Sequence, residues 1–301
     1  MTYSVVARDS KTGEIGVAVQ SHWFSVGPIC PWAEPGVGAV ATQSMVLVSY
    51  GPLGLEKMRK GAATKQALAE LLEADDGREV RQVAMVDTKG SVAAHTGAKC
   101  IACAGHATGD GWSVQANMMK NSKVVPAMAR AIRKSKGDLA GRLLSTLDAA
   151  QRAGGDIRGK QSAAMLIVSG KRVERPWEGR LVELRVEDHR EPLSELRRLL
   201  GLHRAYAHMN TGDEALEKKE FARAMKEYGA AAKLSKANPE IEYWSALTLA
   251  KSGRLKEAVP ILKRVFARNP DWKELTMRLP KAGIATDEQI ARIMRTISSD
   301  R

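Results

Sequence analysis

Cysteine, aromatic residues and long apolar runs are all scarce in this chain of 301 residues. The three cysteines, Cys30, Cys100 and Cys103, are too few and too unevenly spaced for a disulfide framework, so reduced thiols are expected. Aromatic residues make up 5% of the sequence, which leaves little material for platforms that stack single-stranded nucleic acid. No stretch reaches the roughly 18 apolar residues of a membrane span. The first residues lack the basic start and apolar core of a secretory signal, so the expected location is cytoplasmic. Also absent are G-x-S-x-G, G-x-x-x-x-G-K-[ST], a G-x-G-x-x-G followed by an acidic residue, and H-E-x-x-H. Several hydrolase, nucleotide-binding and zinc-peptidase classes thereby lose their usual signatures.

What is present is the composition of a soluble globular protein, 44% apolar and 27% charged, with a net charge of +13. Lys and Arg exceed Asp and Glu by 7 up to residue 200 and by 6 beyond it, without a block of like charge. That pattern predicts a solvated basic surface suited to small anionic substrates and no specific nucleic-acid partner.

Residues 3–8 and 14–20 alternate in hydrophobicity around the turn-forming segment Asp9-Ser10-Lys11-Thr12-Gly13, which predicts a β-hairpin. A strand is expected at 37–43, helices at 54–60 and 64–73, a second strand pair at 80–87 and 91–95, helices at 124–134 and 139–153, and strands at 162–168 and 181–186. Gly154-Gly155 supplies the stop for the last of these helices. Because the strands come as hairpins, the sheets should be largely antiparallel, with two sheets between two helical layers. From residue 191 onward the pattern is helical. Phe221, Ala224, Tyr228 and Ala231 are matched 34 positions later by Leu255, Ala258, Leu262 and Val265, the period of a tetratricopeptide helix pair.

Candidate chemistry starts at Thr2. Removal of Met1 would leave a hydroxyl and an α-amine on one residue, a nucleophile with its own base. The strand ends Gln20-Ser21-His22 and Thr42-Gln43-Ser44 are expected at the same edge, where amides and hydroxyls could bind an acyl oxygen or an amide. Between the last helix and the next strand, Asp156 and Arg158 in a Gly-rich loop can fix each other and a carboxylate-bearing ligand. Cys100, Cys103 and His106 form C-x2-C-x2-H but lack an obvious fourth ligand, so no metal and no cofactor is expected.

The segments TYSVVARDSKTGEIGVAVQS, VGPICPWAEPGVGAVATQS, REVRQVAMVDTKGSVAAHTG, GHATGDGWSVQANMM and GGDIRGKQSAAMLIV, in this order, resemble the DUF1028 family. The resemblance covers residues 2 to about 203 and implies an α+β, four-layer αββα sandwich of the N-terminal nucleophile (Ntn) hydrolase type. It divides the chain into an Ntn hydrolase-like domain at 1–203 and an all-α tetratricopeptide-like domain at 204–301. It also implies an amidohydrolase acting on a small-molecule or peptide amide, with Thr2 as nucleophile and Gln20, Ser21 and Gln43 lining the site. Asn117, Asp156, Arg158 and Gln161 are further family-motif positions with binding or orienting roles. Where proteasome-type relatives carry an early-strand Lys, this sequence offers Gln20, His22 and Gln43. The competing expectation is a catalytically silent assembly module whose helical tail recruits a protein partner. Because sandwiches of this type often pair through their helical layers, a homo-oligomer is expected.

Overall fold

The computed structural model describes residues 2–235 and 238–299, which form two compact units, one ending at Leu200 and one beginning at Gly201. In the first unit the chain runs β1 (Thr2–Arg8), β2 (Ile15–Ser21), β3 (Pro31–Glu34), β4 (Gly38–Ser44), α1 (Tyr50–Arg59) and α2 (Thr64–Glu73). It continues through β5 (Arg81–Asp87), β6 (Val92–Thr96), β7 (Gly105–Gly109), β8 (Trp112–Ala116), α3 (Val124–Lys134), α4 (Leu139–Arg152), β9 (Ser162–Val168) and β10 (Arg180–Val186). One sheet has the order β10-β9-β2-β1-β8-β7 and the other β3-β4-β5-β6, every pairing antiparallel.

The layers follow from side-chain alternation along the strands. On β1, Val6 joins Val17, Val19, Ala41 and Ala84 between the sheets, while Tyr3, Val5 and Ala7 face a second core built with α3 and α4. Buried Met128, Ile132, Leu143 and Leu147 supply the helical side of that core. Asp138 caps α4 by accepting from the Gly141 N–H at 2.9 Å. On the outer face of the other sheet, Leu55, Met58 and Leu68 of α1 and α2 cover Val40, Val83 and Met85. The result is the four-layer αββα sandwich.

Three strands depart from the sequence expectation. Segments rich in Gly, Pro and small polar residues, where no strand is expected, contain β3, β7 and β8, and β8 is the second neighbour of β1. The first helix also starts earlier than expected, at Tyr50, with Pro52 in its first turn where the missing N–H costs nothing.

Helix α5 (Pro192–Glu217) spans the boundary between the units. The second unit continues with α6 (Phe221–Leu234), α7 (Pro239–Lys251), α8 (Leu255–Arg268), α9 (Asp271–Arg278) and α10 (Asp287–Ser299). Of the positions in the 34-residue pattern, Ala224, Tyr228, Ala231, Ala258, Leu262 and Val265 are buried, whereas Phe221 is exposed. Asn238 caps α7 through the Glu240 N–H, with Pro239 in the first turn. No helix among the described residues is long and apolar enough to cross a membrane.

Candidate active site

Thr2 is the first residue of β1, and alternation sends its side chain into the space between the sheets together with Ser4 and Val6. Its hydroxyl donates to Ser21 Oγ at 3.0 Å across the β1–β2 pair. Its carbonyl accepts from three donors: the Asn117 backbone N–H at 3.1 Å, Gln43 Nε2 at 3.0 Å and Asn117 Nδ2 at 3.4 Å. A strand end held this way has little freedom to fray.

The donors belong to a polar layer buried between the sheets. Gln82 Oε1 accepts from Gln43 Nε2 (2.7 Å) and from Asn117 Nδ2 (2.9 Å). Its own amide nitrogen donates toward Thr96 Oγ1 and the carbonyls of Gly105 and Ala116. Ser4 Oγ donates to Gln43 Oε1 at 2.7 Å and accepts from Gln115 Nε2 at 3.2 Å. Ser4, Gln43, Gln82, Gln115 and Asn117 are all buried, and the hydrogen bonds they exchange replace most of those lost to water, Gln115 Oε1 and Asn117 Oδ1 being left without a partner. Thr96 carries the network outward to His106 Nδ1 at 2.8 Å; burial, and then His95, push the His106 pKa down.

Thr2 lines a cavity of about 280 Å³ at the ends of β1 and β4. One wall is apolar, with Trp23, Val26, Ile29 and Met45, and the polar lining includes Gln43 and the guanidinium residues Arg81 and Arg158. None of the described lining residues is acidic. Cys30 also borders the cavity, but burial pushes its thiol up to about 12, so at neutral pH it is no rival nucleophile. A wider groove of about 640 Å³ on α1 and α2 runs among Glu56, Lys57, Lys60 and Glu70, and its described lining holds no hydroxyl or thiol side chain.

Each arginine is fixed from behind by an aspartate. Arg158 donates through Nε to Asp156 Oδ1 (3.1 Å) and through Nη2 to Oδ2 (2.8 Å), a bidentate pair. Asp156 also accepts the backbone N–H groups of His22 (3.2 Å) and Arg158 (2.9 Å). The loop reaches this geometry through Gly154 and Gly159, whose φ of +132° and +117° an L side chain would strain.

Arg81 donates through Nε to Asp75 Oδ2 (2.9 Å) and through Nη1 to the Met45 carbonyl (2.6 Å). The Arg81 hydrogen bond outweighs burial and holds the Asp75 carboxyl below the usual carboxylate range, helped by Gly77 N–H and the Tyr50 hydroxyl. A carboxyl depressed in the folded state adds stability that is complete above its unfolded pKa of about 4 and is lost as pH falls through the folded value. Asp75→Asn should therefore lower the thermal midpoint by several degrees at pH 7 and converge with the wild type in acid. Parallel melting curves at all pH values would contradict this.

The sequence-predicted residues separate into groups. Thr2, Gln43 and Arg158 line the cavity; Ser21 accepts from Thr2; Asn117 holds the Thr2 carbonyl; Asp156 fixes Arg158. Gln20 does not join them. It lies beside Tyr3 on the face that carries Ala18 toward α3 and α4, opposite to Ser21, because consecutive strand residues alternate faces. Its amide N and O are buried without a hydrogen-bond partner. Gln161 acts through its backbone, donating to the Ser21 carbonyl (3.0 Å) and accepting from His189 N–H (2.8 Å). Gln43 cannot serve an acyl oxygen, since both its amide hydrogens are engaged by Thr2 and Gln82. Arg81, Gln82, Ser4 and Gln115 had no place in the sequence reading. Among the described residues no group of three or more His, Cys, Asp or Glu side chains is placed to hold a metal ion.

The first unit is thus an antiparallel αββα sandwich with the candidate site at the N-terminal end of a central strand. The chain belongs to the DUF1028 family, described as a family of unknown function, which matches residues 2–196. Residues 215–277 match a tetratricopeptide repeat. Among solved structures, protein SPO2555 from Silicibacter pomeroyi, itself a DUF1028 protein, is 31% identical with a TM-score of 0.60, over 66% of this chain and 84% of that one. Anbu (ancestral β-subunit) from Yersinia bercovieri is 13% identical with a TM-score of 0.32, over 66% of this chain and 93% of that one. No curated protein matches the chain.

Proposed function

We propose that this protein is an Ntn-type amidohydrolase with Thr2 as its nucleophile after removal of Met1. The observation that carries the reading is the position of Thr2: first residue of a central strand, carbonyl held by three donors, side chain in the wall of a cavity. Thr2 Oγ1 would attack the amide carbon while the α-amine takes its proton; the resulting ammonium would protonate the leaving amine, and water would hydrolyse the ester. Arg81 and Arg158 line the same cavity, and they are its only charged residues among the described lining.

A second reading, the silent assembly module with a partner-recruiting tail, is favoured by one observation: no lysine is among the described lining residues. One experiment separates the two. The purified protein is exposed to a β-lactone and its N-terminal peptide is read by mass spectrometry. The enzyme reading expects an acyl adduct on a processed Thr2. A retained Met1, or a processed Thr2 that no lactone acylates, would move the assignment to the module.

A further inference from the structure

The cavity beside Thr2 combines two features that together describe a ligand. Its charged lining residues are of one sign: Arg81 comes from the start of β5 and Arg158 from the loop before β9, and no described lining residue is acidic. The two aspartates that accompany these arginines are not in the lining; they are bonded to the guanidiniums from outside it. This arrangement orients each guanidinium and leaves only the basic partner of each ion pair in the lining. The second feature is the wall of Trp23, Val26, Ile29 and Met45, which suits a hydrocarbon group. Trp23 and Met45 are 55% and 57% exposed, so part of this apolar surface faces solvent until something covers it. The volume of about 280 Å³ lies at the small end of ligand pockets, about 300 to 1,000 Å³, and excludes a long peptide as the enclosed ligand.

Resting on the amidohydrolase reading, we propose that the substrate is a small amide bearing both a short apolar acyl group and a carboxylate, an N-acyl amino acid in its chemistry. Arg81 and Arg158 are the specificity-determining residues for the carboxylate, and the Trp23–Met45 wall receives the acyl chain. A neutral amide of the same shape forfeits the charge-assisted hydrogen bonds that a carboxylate would add at this basic lining. A cationic one meets repulsion.

The test measures binding rather than turnover. N-hexanoylglycine and N-hexanoylglycinamide differ only in the carboxylate, and calorimetric titration of the full chain with each compares them directly. The acid is expected to bind with a dissociation constant on the order of 1 mM or tighter, and about tenfold or more tighter than its amide. Arg81→Gln and Arg158→Gln should each erase most of that preference, and added salt should weaken it. Thr2→Ala should retain it. Equal binding of acid and amide by the wild type, or no binding of the acid, overturns the proposal without reference to any variant's folding. The two readings fail separately: a Thr2 adduct without acid preference removes the substrate class alone, whereas acid preference with an inert Thr2 removes the nucleophile alone.

Discussion

Thr2→Ala is expected to abolish amide hydrolysis, with kcat/KM falling about 10⁴-fold or more, as in other enzymes that lose the nucleophile. The same change should leave the fold intact. The Thr2 hydroxyl gives up one hydrogen bond, to Ser21, while the carbonyl contacts to Gln43 and Asn117 involve only backbone of residue 2. The expected cost in stability is about 1 kcal/mol. Thr2→Ser keeps a hydroxyl at the same atom and should retain activity. Steady-state assays on a β-lactone or an activated amide, paired with thermal melts, read both quantities. Hydrolysis that survives in a folded Thr2→Ala protein would end the case for this nucleophile.

The second large effect is expected at Gln82, which touches neither cavity nor ligand. Its carbonyl oxygen joins the amides of Gln43 and Asn117, and these hold the Thr2 carbonyl. Gln82→Leu fills a similar volume but leaves those two buried donors, and the acceptors at Thr96, Gly105 and Ala116, short of partners. Each orphaned group costs about 1 to 3 kcal/mol, so a total loss on the order of 3 kcal/mol or more is expected in urea denaturation. Acylation of Thr2 should fall as well, because its strand end loses its anchor. A Gln82→Leu protein as stable as the wild type would show that the layer is not a cooperative unit.

How far the sequence disclosed this arrangement depends on the strand. The β1–β2 hairpin was legible because apolar alternation and the segment from Asp9 to Gly13 agree, and Asp9 does accept the backbone N–H groups of Lys11 and Thr12. The αββα order and the 34-residue pattern of the tail were legible for the same reason: they rest on aliphatic periodicity. Strands β7 and β8 were not, since GHATG and WSVQA carry Gly, Thr, Ser and Gln where an aliphatic run would announce a strand. In a one-sided sheet a Gln on an alternating strand reads as the solvent face. Here both faces of each sheet are covered, so Gln82 and Gln115 point inward and require each other's neighbours. Gln20 failed for a related reason: adjacency to Ser21 in sequence means opposite faces in a strand. Arg81 was hidden because a single basic residue at a strand start gives no sign of the Asp75 and Met45 contacts that fix it.

The apolar side chains between the sheets are mostly Val and Ala, small and nearly interchangeable in shape. Sliding one sheet across the other by one side-chain repeat, about 7 Å, would set Val against Ala again at little cost in buried area. The amide layer removes that tolerance. Ser4 and Gln115 on one sheet must meet Gln43 and the Ala41 carbonyl on the other, and a displaced pairing would strand all of them away from water. Hydrogen-bond matching thus sets the longitudinal alignment of two otherwise smooth surfaces. Every correctly closed sandwich therefore brings the first residue of β1 opposite the last residues of β4, and the cavity is assembled by the same event that completes the core.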